Sequence, residues 1–345
     1  MILFRLLCGL VPFVAFASAS SGDRSPPFQQ CLSNCVSRAC TEANGTNGSP
    51  NLPLILRLTR WTCTDDCKYQ CMHILTDIAL HEQVRAQNQG LYSHSGTRVH
   101  QYYGKWPFWR FAGMQEPASV VFSLLNMAVH IAGMKKIAKE IPKHFHMRTL
   151  YLVWSGLAVN AWVWSSVFHT RDTPATEILD YFSAGLVILY SLFFTVVRLF
   201  HLRPVAATSR PSITYKLWAM SCGLMYLGHI SYLTLLPRFD YTYNMAANLI
   251  VGLIHNALWL LYPWSSIRLF PGRDKHYRPS FSLQPALFVL LTTLATSLEL
   301  FDFPPWYRTV DAHALWHLAT VPIAPLWYDF LVKDALDQGW RPLKM

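Results

Sequence analysis

Seven apolar runs in series, at roughly 118–136, 147–169, 177–199, 214–235, 243–263, 283–301 and 312–332, limit how this chain can fold more than any other feature. A helix needs roughly 20 residues to cross a hydrocarbon layer of about 30 Å, and each run has about that length. A backbone in lipid has to satisfy its own hydrogen bonds, so such runs become helices. Composition agrees, with 52% hydrophobic and only 14% charged residues, where soluble domains average roughly 25% charged. The expected fold is an all-α membrane protein, a seven-transmembrane helix bundle.

Residues ahead of the first run suggest a different environment. Arg5 precedes an apolar stretch from Leu6 to Phe16 and then Ala17-Ser18-Ala19, the charged, hydrophobic and small-residue parts of a signal peptide spanning 1–19. Residues 20–115 hold no spanning run but carry six cysteines, Cys31, Cys35, Cys40, Cys63, Cys67 and Cys71. Behind a signal peptide, an even cysteine count implies disulfides, and six cysteines leave 15 connectivities open. Spacings of three and four between them depart from the CxxC pairs of zinc sites. Asn44-Gly45-Thr46 and Asn47-Gly48-Ser49 are glycosylation acceptors. A luminal, disulfide-rich, glycosylated domain is expected at 20–115, followed by a membrane domain at 116–345.

Charge placement orients the runs. With the N-terminal domain luminal, the cytosolic segments hold sixteen Lys and Arg, among them Lys135, Lys136, Arg198, Arg203 and Lys333, whereas the loops on the other side hold only Arg171, Arg238 and Arg308. That asymmetry is the positive-inside pattern and puts the C-terminus in the cytosol. It also accounts for the net charge of +10; with no basic block carrying interleaved aromatics, nucleic acid is not an expected partner.

The same topology gathers polar residues at one depth. His313 and His317 stand four apart at the start of the last run, on one helix face. His169 closes the second run, Ser165 lies one turn before it, and Asp180 lies one turn inside the third. Three neutral imidazoles with an open fourth position form a catalytic zinc arrangement. The expected metal ligands are therefore His169, His313 and His317, with Ser165 supporting an oxyanion and Asp180 as general base and acid. Asp311 or Glu299 would fix an imidazole tautomer. His130, His229 and His255 read as packing residues. Ser165 as a nucleophile with His169 as base is the competing arrangement, but it gives His313 and His317 no task.

A serine four before a histidine, an aspartate some ten residues on and an HxxxH in the last span resemble the superfamily of seven-span hydrolases and receptors that includes the alkaline ceramidases and the progestin and adiponectin receptors. The cysteine-rich domain, the stretch from Asn160 to Asp172 and Asp180-Tyr181-Phe182 look like its GPI-remodelling branch. The resemblance implies a Golgi membrane lipase, with the endoplasmic reticulum as an alternative location, that uses zinc to remove the unsaturated sn-2 acyl chain from the anchors of GPI-anchored proteins. Two other functions fit the residues: an amidase acting on ceramide, and a non-catalytic receptor or cargo-sorting factor with structural zinc.

Overall fold

The computed structural model describes residues 20–40, 52–90, 99–203, 211–264 and 269–341. The expected signal peptide and the acceptors Asn44 and Asn47 lie outside the described residues. Among those described there are eleven α-helices, two 3-10 turns and no strands. The chain divides into two compact units, Met1–Pro117 with Phe303–Asp311, and Ala118–Asp302 with Ala312–Met345.

The first unit contains α1 (Pro26–Ala39), α2 (Leu54–Leu58) and α3 (Cys63–Asn88). Thr62 starts α3 with a capping box, accepting from the Asp65 N–H while the Asp65 carboxylate accepts from the Thr62 N–H. Cysteines four apart lie on one face of a helix, which lets α1 and α3 be stapled side by side. The pairs are Cys31–Cys71, Cys35–Cys67 and Cys40–Cys63. The reversed order makes the two helices antiparallel, and all six cysteines are consumed.

His73 on α3 is buried in this unit. Its ring stacks on Trp109 at 4.0 Å, Nε2 lies 3.1 Å from the Phe108 carbonyl, and Nδ1 lies 2.9 Å from Arg308 Nη1. A guanidinium only donates, so Nδ1 accepts and Nε2–H donates to Phe108. Burial first, then the Arg308 charge, lowers the imidazole pKa to about 4, from about 6.5 in an unfolded chain. A depressed folded pKa means that the stabilisation is complete above about pH 6.5 and is lost as pH falls toward 4. Amide-exchange protection of α3 in the full chain, corrected for the intrinsic pH dependence, is expected to fall across that window; His73→Gln should flatten the dependence there.

The second unit contains α4 (Pro117–Glu140), α5 (Arg148–Thr170), α6 (Pro174–Leu199), α7 (Ile213–Leu235), α8 (Tyr241–Leu261), α9 (Gln284–Ser297), α10 (Ala312–Thr320) and α11 (Ile323–Leu336). Among the described residues α4, α6 and α8 are long and apolar enough to cross a membrane, while α9 is apolar but shorter. The 23-residue helices α5 and α7 have the length, but Trp, Tyr, Ser and His dilute their apolar character.

The last expected run is not one helix. It breaks between Thr320 and Ile323 at Pro322, and the sixth run ends as a 3-10 turn, Leu298–Leu300. Proline has no N–H to donate and crowds the preceding turn, which explains the first break.

Loop chemistry positions the site. Thr173 caps α6, accepting from the Thr176 N–H, and Pro174 supplies the helical φ of its first turn. Only three residues therefore separate α5 from α6, and the two pack as antiparallel neighbours. α4 buries Ser119, Ser123, Asn126, His130, Gly133 and Ile137, a polar and small-residue stripe at alternating spacings of four and three. Gly133 permits a close approach, since a Cβ there would sit 2.2 Å from the Tyr328 ring. Tyr328 OH in turn bonds His130 Nδ1 at 2.9 Å, so His130 is a packing histidine, as expected.

Tyr151, Phe193, Phe194, Trp259, Tyr262 and Phe330 build the core, with Trp259 Nε1–H satisfied by Thr195 Oγ1 at 2.9 Å. Arg198, expected as a loop cation, is instead fully buried beside this core. Its Nε and Nη2 donate to the two Asp334 carboxylate oxygens at 2.7 and 2.6 Å, Nη1 donates to the Leu269 carbonyl at 2.9 Å, and Trp340 lies against the guanidinium at 4.4 Å. A carboxylate 136 positions away in sequence makes burial of this charge tolerable.

Candidate metal centre

Two short i,i+4 relationships bring the site residues together. Ser165 and His169 occupy the last turns of α5, and His313 and His317 occupy the first turns of α10. One donor atom from each of His169, His313 and His317 lies within 4.8 Å of the others. The Nε2 atoms of His169 and His313 are 3.3 Å apart. His169 and His317 are 2% exposed, so two of the three imidazoles are withdrawn from solvent, and His313 is half-buried at the rim.

Two of the rings are held from the far side. His313 Nδ1 lies 2.8 Å and 2.9 Å from the two Glu299 oxygens, which leaves Nε2 directed at the other histidines. A carboxylate on the remote nitrogen is the usual device for fixing the tautomer and raising the basicity of a metal-binding imidazole. Of the two carboxylates expected in this role, Glu299 is the one seen against an imidazole nitrogen. His317 Nδ1 lies 2.9 Å from Ser123 Oγ, the His317 carbonyl accepts from Asn126 Nδ2 at 2.8 Å, and Trp162 packs edge-on to the ring at 5.2 Å. Ser165 Oγ is 3.0 Å from Ser123 Oγ.

Asp180 stands in the second turn of α6, half-buried and next to Tyr181. His229 on α7 packs against Tyr243 at 5.4 Å, and His255 Nδ1 lies 3.1 Å from Asn256 Oδ1. Neither belongs to the histidine cluster.

Ser123 and Asn126 had no place in the expected site. The signal for them was the polar stripe on α4, legible as a three-and-four spacing inside an apolar run. What the stripe faces was not legible, because its partner lies 194 residues away.

A model of the Per1-like family matches residues 53–335. The chain belongs to the Per1-like family. Its Per1-like relatives include a Danio rerio protein named GPI-specific phospholipase A2-like PGAP3, 40% identical over 93% of this chain and 92% of the relative. The Homo sapiens protein of that name is 38% identical over 93% of this chain and 91% of its own length. The Schizosaccharomyces pombe protein PER1 homolog is 39% identical over 92% and 87%. No solved structure matches the chain.

Proposed function

We propose that this Per1-like chain is a membrane-embedded, zinc-dependent hydrolase of the Golgi that removes the unsaturated sn-2 acyl chain from GPI anchors. The observation that carries the proposal is the cluster of His169, His313 and His317 donor atoms within 4.8 Å, each ring belonging to a different turn and two of the rings fixed from behind. The PGAP3 relatives, named GPI-specific phospholipase A2-like, supply the substrate class.

The donor set fits zinc, because neutral imidazoles are borderline ligands and a three-histidine site leaves a position open for chemistry. When bound, zinc supplies Lewis acidity, which makes a water nucleophilic near neutral pH and polarises an ester carbonyl. His169, His313 and His317 would hold it. Ser165 is placed one turn from His169 to donate a hydrogen bond to the oxygen that gains charge as the ester carbon becomes tetrahedral. Asp180 would take the proton from the attacking water and return it to the departing alkoxide of the glycerol. The acyl C–O bond breaks, and the products are a free fatty acid and a lyso anchor.

In this reading α4 to α11 make seven passages, with α10 and α11 together forming the last. The sixteen-to-three distribution of Lys and Arg supports a cytosolic C-terminus, and the stapled first unit then lies in the lumen. The outward Val121, Leu124 and Leu125 of α4 and Leu249, Ile250 and Leu253 of α8 suit contact with acyl chains.

Mass spectrometry of GPI anchors tests the function. Cells lacking this chain are expected to keep unsaturated diacyl anchors, and its re-expression should restore the remodelled form. Normal remodelling in its absence refutes the proposal.

A further inference from the structure

The contacts of Ser123 carry an inference about the direction of hydrogen bonding in the site, and it rests on the metal reading above. Ser123 is fully buried, and among the described residues its Oγ has two hydrogen-bond partners, His317 Nδ1 at 2.9 Å and Ser165 Oγ at 3.0 Å. With Nδ1 engaged by Ser123, Nε2 is the His317 nitrogen left as a metal donor. An imidazole that binds through Nε2 must carry its hydrogen on Nδ1, so Nδ1–H donates to Ser123 Oγ. A hydroxyl has one hydrogen to give, and the Ser123 hydrogen then goes to Ser165 Oγ. Ser165 accepts that bond and keeps its own hydrogen for a group in the site.

We infer that Ser123 is a positioning residue which, through the chain His317 Nδ1–H to Ser123 O–H to Ser165 O–H, makes Ser165 a hydrogen-bond donor to the substrate's developing oxyanion when the metal is bound. The opposite tautomer of His317 reverses the chain. Ser165 would then donate toward Ser123 and present only lone pairs to the site, which repel a developing oxyanion. Binding of the metal and donation by Ser165 are coupled through one buried hydroxyl.

The test uses the full chain in lipid nanodiscs, with zinc affinity measured by chelator competition and turnover measured as fatty acid released from a diacyl GPI. Ser123→Ala is expected to weaken zinc about 10- to 100-fold, the usual effect of losing the partner behind a metal-binding histidine. At saturating zinc it should lower kcat with KM unchanged. Ser165→Ala should lower kcat and leave zinc affinity as it was. The double variant should be no slower than the slower single variant, because the two hydroxyls act as one chain. Ser119→Ala removes an equally buried hydroxyl one turn away on the same stripe and should change neither quantity.

Wild-type zinc affinity in Ser123→Ala, losses in kcat that multiply in the double variant, or an equal effect of Ser119→Ala each overturn the inference. A wild-type chain that binds no zinc overturns instead the metal reading on which it rests.

Discussion

His317→Ala is expected to leave a folded chain that retains no zinc through purification and restores no anchor remodelling to cells lacking the wild type. His317 would give the proposed metal one of three donors, and it is held by Ser123 behind Nδ1 and Asn126 on its carbonyl. Two imidazoles and solvent do not replace a three-histidine cage, so metal is lost along with activity. Alanine keeps the helical backbone, and the carbonyl that Asn126 holds is unchanged, which separates this loss from misfolding. Glu299→Gln gives a graded comparison. An amide still reaches His313 Nδ1 but carries no charge to raise the basicity of the ring, and the expected cost is about 10- to 100-fold in zinc affinity. Elemental analysis of the purified chains together with anchor mass spectrometry gives both readouts. If the alanine variants of His169, His313 and His317 all keep zinc at the wild-type level, the metal is held elsewhere.

The second large effect lies roughly 27 Å along α6 from Asp180, at about 1.5 Å per residue. Arg198→Met is expected to destabilise the second unit by about 3–5 kcal/mol, because it leaves the Asp334 carboxylate buried without its bidentate partner. The residual bonds from Tyr262 OH at 3.4 Å and from the Trp340 indole to the Asp334 carbonyl cannot neutralise the charge. Replacing both members, Arg198→Met with Asp334→Leu, should recover most of the loss, since desolvating the pair already offsets much of its attraction. Thermal unfolding of the two variants in one detergent compares them directly. Equal loss in single and double variants would mean that packing of the guanidinium on Trp340, rather than the ion pair, holds this end together.

Local spacing made much of the site legible. His313 and His317, Ser165 and His169, and the cysteines four apart each fall on one helix face, and a helix face is a property of a short stretch of chain. Pairing across the fold was not local. Fifteen disulfide connectivities were open until α1 and α3 lay antiparallel, and Glu299 could not be preferred to Asp311 until the 3-10 turn placed it against His313. Arg198 shows the reverse failure. A cation at the end of an apolar run reads as a loop charge, and nothing near it in sequence announces Asp334. The break at Pro322 was within reach, because a proline inside a continuous apolar run argues against an unbroken helix.

The stripe along α4 also has a consequence for how the chain is made. Synthesis delivers α4 first among the second unit's helices and α10 and α11 last, yet Ser123, Asn126 and His130 find their partners in His317 and Tyr328. For nearly two hundred residues of elongation this face of α4 lacks those partners, and only Ser123 meets an earlier one, Ser165 on α5. Polar groups in hydrocarbon are costly, so the newborn helix has to be sheltered by the insertion machinery, or by water at its ends, until the C-terminal helices arrive. The same event that relieves α4 brings His313 and His317 to His169. Release of a stable chain and completion of the three-histidine cluster therefore coincide, and a product truncated before α10 lacks both.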